Sequence, residues 1–359
     1  MITVKDAFCL QGVRYDRRTT GFGIYGPDGA LLPNAEIRTA SWANRPDATA
    51  TIPGEVTRVL GPALFAGSSD KQFGFVLLNA LGRLWALDEL PAGATLVYAA
   101  RPMARRVDHA ILGRVLRSLG IRETILVAET PLWFESLSLA EERFGECLDG
   151  RGMAEFYAWL DTRWPAQGAP DPQDRLYVSR SGLGPQAGRY ACEDHLEDLL
   201  RAEGYEVFCP EAHPIEEQVR RFQAAGQVIF AESSALHLFS LVRRPGQISA
   251  VIQRRNSLPD VMKTQMADRP GQPTVSIDAI SELWWPPSRG EHLGLSVLDF
   301  PRLSEGLAAL GLIGARRWAN PEREQVFRSL RAGLAEGEDV MDAGARVAWL
   351  AAHRKAKKG

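Results

Sequence analysis

The sequence predicts an α/β protein built from two sheet domains. Three observations point there: short β-branched and aromatic runs alternate with amphipathic helical runs between residues 175 and 253, the connections between them are short, and 359 residues are more than one ordinary core organises. Strand, helix and strand joined tightly in this way give a doubly wound parallel sheet.

In the first half the signals are less regular. "GFGIYGPDGALL" suggests a hairpin around Asp28-Gly29, a pair that supplies the backbone conformations of a tight turn. "KQFGFVLLNALGRLWALDEL" reads as one strongly apolar helix, "ATLVYAA" as a strand, "RVDHAILGRVLRSLG" as a helix and "ETILVA" as another strand. The boundary falls in "PAQGAPDPQD", residues 165–174, with three prolines in ten residues, so the first domain is expected over 1–165.

Beyond it, "RLYVS" is a strand, and "EDHLEDLLRAEG" sets Leu196, Leu199 and Leu200 on one helix face before Gly204 stops it. "YEVFC" is a strand closed by Pro210, and Pro214 opens a helix with Ile215, Val219 and Phe222 on one side. "QVIFA" and "QISAVIQ" are two more strands, with a helix from Ala235 to Leu241 between them. This second domain is expected over 174–300. Residues 302–355 read as helical throughout, and 301–359 is expected to pack back on the first domain.

With 45% hydrophobic and 24% charged residues and a formal net charge of −2, the chain is globular and has no basic field for nucleic acid. Cys9, Cys147, Cys192 and Cys209 lie far apart without a Cys-x-x-Cys pair, which reads as reduced thiols of a cytoplasmic protein with no metal and no cofactor. No run reaches ~18 apolar residues and the opening residues lack an apolar secretion core, so neither a spanning helix nor a signal peptide is expected. The basic end "HRKAKKG" reads as a solvated tail with at most peripheral membrane contact, and a homodimer is compatible with all of this.

Ligands of parallel sheets sit beyond the carboxyl ends of the strands, which brings three loops to one rim. In "SRSGLGPQAGRYACE", Arg180 leaves a strand and Arg189 precedes a helix. Two guanidiniums flanking a loose loop at a helix N-terminus suit a diphosphate; two solvated arginines on a surface loop are the plainer alternative. Gly182, Gly184 and Gly188 are spaced one residue too widely for the dinucleotide fingerprint, and no G-K-[ST] occurs. In "VIFAESSALH", Ser233 and Ser234 are expected to cap the next helix, leaving Glu232 for ligand hydroxyls. His237 shares a helix face with Ser233 and is placed to reach the same ligand, a satisfied, partly buried histidine being the plainer alternative. Glu211 and Gln218 are the polar residues of the remaining loop and its helix.

Together these residues resemble glycosyltransferase family 61, in its bacterial capsular-polysaccharide branch. The resemblance rests on Ser179-Arg180, Arg189, Glu193, Pro210-Glu211, Glu217-Gln218 and Ser233 to His237, and continues weakly through "FGFVLLNALGRLWAL". There this chain has Phe75 and Asn79 where the family usually has a histidine and an acid, and Gly82 for a proline, while Arg83-Leu84 persists. Cys192 stands where asparagine is common.

The resemblance implies a GT-B architecture, two Rossmann-like domains facing a cleft, the first on the acceptor side and the second holding a nucleotide-diphospho-sugar donor. It implies inverting transfer to a glycan or polysaccharide acceptor without an obligate metal. Substrate contacts would fall to Arg180, Arg189, Glu211, Gln218, Ser233 and Ser234, and chemistry to Glu232 or His237. The sequence contains no Asp-x-Asp, so positive side chains would have to neutralise the leaving diphosphate. An inverting displacement also needs a base, for which Asp108 and His109 are the first-domain candidates; plain charge at a helix N-terminus is the alternative. Because of Phe75 and Asn79, a non-catalytic partner that binds a nucleotide sugar or glycan stands as the second reading. A scaffold would bind neither.

Overall fold

The computed structural model describes residues 1–10, 19–20, 22–35, 43–44, 46–100, 109–184, 187–287, 290, 293–334 and 336–356. Two compact units emerge: Met1–Ala166 with Ser240–Val242 and Asp260–Arg269, and Gln167–Phe239 with Arg243–Pro259 and Pro270–Gly359.

The first unit contains β1 (Ile2–Leu10), β2 (Thr19–Thr20), β3 (Gly23–Tyr25), β4 (Ala43–Asn44), β5 (Thr57–Ser69), β6 (Thr95–Ala100), β7 (Ile125–Ala128) and β8 (Leu132–Leu139), with helices α1 (Phe73–Asn79), α2 (Ala110–Ser118) and α3 (Ala154–Arg163). Its main sheet has the order β3-β1-β8-β5-β6-β7. Strands β8, β5, β6 and β7 run parallel, whereas β1 is antiparallel to both β8 and β3, so this sheet is mixed and not a simple doubly wound one. The second half of β5 is buried on both faces, which explains its unbroken apolar run "ALFAG".

The hairpin at Asp28-Gly29 forms as expected. Gly26 donates its N–H to Ala30 O, and Asp28 Oδ1 accepts from the Ala30 amide at 3.1 Å. The long apolar helix does not form: α1 ends at Asn79 and a separate 3₁₀ segment runs over Leu84–Glu89. The break is steric. At Gly82 the chain passes so close to Phe144 O that a Cβ would lie 2.2 Å from that oxygen. Folding back buries the apolar residues on several sides, which a straight surface helix could not do.

The second unit holds the five-stranded parallel sheet β10 (Glu206–Phe208), β9 (Asp171–Val178), β11 (Ala225–Ala231), β12 (Ile248–Ile252), β13 (Val275–Ile277), in that spatial order. Numbered within the sheet this is 2-1-3-4-5, and the winding reverses between β9 and β11. The remaining helices are α4 (Glu193–Ala202), α5 (Ile215–Ala224), α6 (Ala235–Val242), α7 (Asp260–Asp268), α8 (Phe300–Ala309), α9 (Arg323–Arg331) and α10 (Ala343–Ala356), of which α7 and the last three residues of α6 belong to the first unit. A small antiparallel sheet joins β14 (Ile280–Trp285) to β15 (Leu295–Leu298) and β16 (Met341–Asp342).

Alternating residues of β11 divide between two cores. Ile229 packs with Leu196 and Leu200 of α4 and with Phe300, Leu303 and Leu307 of α8. Phe230 meets Phe222 of α5 edge to face and Phe239 of α6 at a tilt, at centroid distances of 5.7 and 4.9 Å. The segment after residue 300 thus contributes to the second unit's own core. It is not helical throughout: residues 310–322 form a loop, and Trp318 of that loop is buried. Among the described residues, no helix is long and apolar enough to cross a membrane.

Candidate functional site

Three polar segments leave the carboxyl ends of the second unit's sheet near its switch point: Ser179-Arg180 after β9, Glu232 after β11, and Arg254-Arg255 just past β12. Glu232 is wholly buried. Its Oε2 accepts the backbone amides of Arg254 and Arg255 at 2.8 and 3.3 Å, and its Oε1 accepts the Arg255 guanidinium. The Glu232 amide is held in turn by Tyr190, whose hydroxyl also donates to Ile252 O at 2.5 Å. One carboxylate therefore fixes the turn after β12 and aims an arginine.

That arginine lines a cavity of about 370 Å³ together with Arg254, Asn256, Ser257, Leu283 and Trp285. Arg255 keeps 31% of its side chain exposed, while Arg254 is almost enclosed. Burial, and then the nearby Arg180 guanidinium, push Arg254 down from the usual arginine range. Glu232 sits with Arg254 and Arg255, while Glu193 and Glu197 stand on the Arg180 side of the rim beside Ser179, so the guanidiniums are gathered here among carboxylates.

Arg180 is held from behind. Its backbone amide donates to Glu193 Oε1 at 2.9 Å, and its Nε and Nη2 donate to Gly188 O. Glu193 also accepts from Ser179 Oγ and Tyr177 OH, and burial raises its carboxyl above the ordinary range despite those donors.

Several expected contacts prove to be structural. Arg189 donates to Ser329 O and Ala332 O, both at 2.8 Å, capping the carboxyl end of α9. It does not pair with Arg180 around a diphosphate. Gln218 is buried and spends its amide on Pro210 O and His213 O, pinning the loop after β10. Glu211 is exposed, with its carboxylate against the bare backbone of Gly182, where a Cβ would meet Oε1 at 2.2 Å. Neither serine caps α6 through its side chain: Ser234 occupies the N-cap position without such a bond, and the buried Ser233 Oγ has no partner among the described residues. His237 is 8% exposed within α6. Glu232 is not spared for ligand hydroxyls, because Arg254 and Arg255 take both of its oxygens.

Arg254 and Arg255 escaped the sequence reading. The available signal was a doubled arginine directly after the predicted strand "QISAVIQ", at the same strand end as the other loops.

In the first unit, His109 stands at the N-cap position of α2 without capping it. Its Nδ1 lies 2.7 Å from Ser69 Oγ at the end of β5, while Nε2 is buried and has no partner among the described residues. Asp108 lies outside the described residues. Asn79 is buried and donates to Phe75 O one turn back, a local helix bond.

The glycosyltransferase 61 family model matches residues 64–246, just over half of the chain. The chain belongs to glycosyltransferase family 61. Membership implies a glycosyltransferase that binds a nucleotide-sugar donor and a glycan acceptor. A search of curated proteins returned no match. The family segment opens within β5 and closes between α6 and β12, so it includes Ser69, His109, Arg180 and Glu232. Arg254 and Arg255 fall beyond it, although Glu232 binds them to it. One family position also acquires a local rationale. Cys192, where the resemblance leads one to expect asparagine, has φ 57°, a left-handed conformation that asparagine tolerates and most residues resist.

Proposed function

We propose that the chain is an inverting glycosyltransferase of GT-B type that moves a sugar from a nucleotide-diphospho-sugar to a glycan or polysaccharide acceptor without requiring a metal. The observation that carries this reading is the convergence of Arg180, Arg254 and Arg255 at the sheet's switch-point rim, two of them lining one cavity. Guanidinium forks match phosphate oxygens, and fixed positive charge at a leaving diphosphate lowers the barrier to its departure. In this reading Glu232 acts through Arg255 and does not touch the sugar. His237, Glu211 and Gln218 support the loops of the rim. His109 is the first-unit base candidate whose surroundings are described, and Asp108 remains its sequence neighbour in that role.

A second reading, a non-catalytic partner in polysaccharide assembly, is favoured by one specific observation: Phe75 and Asn79 stand where the family resemblance leads one to expect a histidine and an acid. The two readings share donor binding and part at transfer. A thermal-shift screen of nucleotide sugars identifies the donor, because a ligand of the folded state raises its melting temperature. Incubation with that donor and an acceptor panel, with and without chelator, then separates the readings. The enzyme reading predicts chelator-insensitive turnover with anomeric inversion by NMR. Donor binding with neither transfer nor donor hydrolysis would replace it with the binding partner, and no stabilisation by any nucleotide sugar would sink both.

A further inference from the structure

We infer that Ser69 is a positioning residue for His109, fixing the imidazole so that its Nε2 takes the proton of the acceptor hydroxyl. The inference rests on the glycosyltransferase reading, and nothing in the family resemblance assigns a role to Ser69. The two residues come from different elements that meet at one rim of the first unit's parallel strands. β5 ends at Ser69, which is fully enclosed, and His109 immediately precedes α2 on the far side of β6 in sequence. Ligands gather at that end of parallel strands.

His109 occupies a position where polar side chains usually cap the helix that follows. It does not cap. The ring is instead turned to Ser69, with Nδ1 and Oγ 2.7 Å apart. This leaves Nε2 buried without a partner among the described residues. A neutral imidazole carries one donor and one acceptor nitrogen, and an unmet buried polar atom costs ~1–3 kcal/mol. Native structures keep few such atoms, and those they keep ask for an explanation. A substrate hydroxyl is the partner that would complete the ring.

The hydrogen bond to Ser69 selects between two tautomers. With the proton on Nδ1 and donated to Ser69 Oγ, Nε2 presents a lone pair to the incoming hydroxyl; the opposite tautomer would aim an N–H at no acceptor among the described residues. In the transfer step the acceptor O–H bond breaks and its proton moves to Nε2. The acceptor oxygen forms the new bond to the anomeric carbon, and the bond from that carbon to the diphosphate breaks with its electron pair leaving on the nucleoside diphosphate. The imidazolium so formed keeps its Nδ1–H on Ser69.

Long-range ¹H–¹⁵N spectra of the full chain labelled with ¹⁵N-histidine report the tautomer of each of its six histidines, and His109→Gln identifies the signal. The wild type is expected to show His109 as the Nδ1–H tautomer. Ser69→Ala should mix the tautomers, and Ser69→Thr, which keeps the hydroxyl, should restore the wild-type signature. In the transfer assay His109→Gln should lower kcat by ~100- to 10,000-fold with donor Kd unchanged, the usual worth of a general base. Ser69→Ala should lower kcat without moving Kd. A wild-type Nε2–H tautomer overturns the inference even if the variants misfold, since it needs no substitution. Intact donor binding with unchanged turnover in His109→Gln overturns the inference alone; failure of the wild type to bind any donor overturns the glycosyltransferase reading and the inference with it.

Discussion

Each unit buries an arginine–glutamate pair, and the two pairs differ in what lies beside them. In the first unit Arg83 meets Glu142 at 3.0 Å with both side chains nearly enclosed, Arg83 Nε bonds Ala140 O, and the guanidinium lies 5.3 Å from the Phe65 ring centroid. Burial raises the Glu142 carboxyl, the Arg83 charge pulling against it. In the second unit Glu232 is more deeply buried than Glu142, at 0% against 10% exposed, but its partner Arg255 reaches a cavity and keeps part of its surface in solvent. A closed pair joins elements. An open pair, anchored at one end, presents a charge in a fixed direction, as an anion site requires.

The most forceful way to break this comparison is to remove both carboxylates in turn. Glu142→Ala should destabilise the first unit by ~3–5 kcal/mol, because it strands a buried guanidinium, and should leave nucleotide affinity alone. Glu232→Ala should cost less stability, since Arg255 can turn to water, and should weaken nucleotide binding at least about tenfold by releasing that arginine. Urea titrations paired with calorimetry read both quantities. Equal losses of stability and unaltered affinity in both variants would remove the distinction between the pairs.

The two arginines of the "SRSGLGPQAGRYACE" loop sharpen it further. Arg180→Ala should reduce nucleotide affinity by ~1.5–3 kcal/mol, a charged hydrogen bond's usual worth, with a smaller fall in melting temperature from the lost bonds to Gly188 O. Arg189→Ala should do the reverse, lowering the melting temperature by uncapping α9 while binding persists. An affinity loss at Arg189 comparable to that at Arg180 would contradict the orientation described for its side chain.

A pH effect should separate Glu193 from the exposed carboxylates. Its folded-state pKa is raised above the ordinary 4.5 by burial, so the native state holds a proton more tightly than the unfolded chain. That contribution to stability is fully present below about 4.5 and is lost as pH climbs through the raised value. Glu193→Gln should therefore flatten the decline in stability as pH rises above the usual carboxylate range, as followed by denaturant midpoints at stepped pH. A steeper decline in the variant would reverse the sign. The smallest expected change is at Cys192: asparagine there should relax the left-handed backbone and shift stability by under ~1 kcal/mol, a modest rise in melting temperature.

What the sequence disclosed follows from the range of the interactions involved. In the second unit, short strands alternate with helices whose apolar faces recur locally, so β9, β10, β11 and β12 could be located, and with them Arg180 and Glu232 at strand ends. The first unit's sheet pairs β1 with β8, more than a hundred residues apart, and such pairing leaves no local period to detect. The same reason hid the fate of side chains. Arg189 reaches carbonyls about 140 residues further along the chain, and Glu232 is claimed by amides past the next strand, so a reading loop by loop assigned both to a ligand. Gly82 broke the predicted helix through a contact with Phe144 that periodicity could not register.

The central claim is that the arginine rim of the second unit grips a diphosphate, and isothermal titration tests it most directly. UDP and GDP, each beside its parent nucleoside, would be titrated into the wild type, Arg255→Ala and Arg180→Ala. At least one diphosphate should bind the wild type far more tightly than its nucleoside, and each substitution should weaken it by about 10- to 150-fold, the span of one charged hydrogen bond. Variants that bind the diphosphate as well as the wild type does, or a nucleoside that binds as tightly as its diphosphate, would contradict the claim.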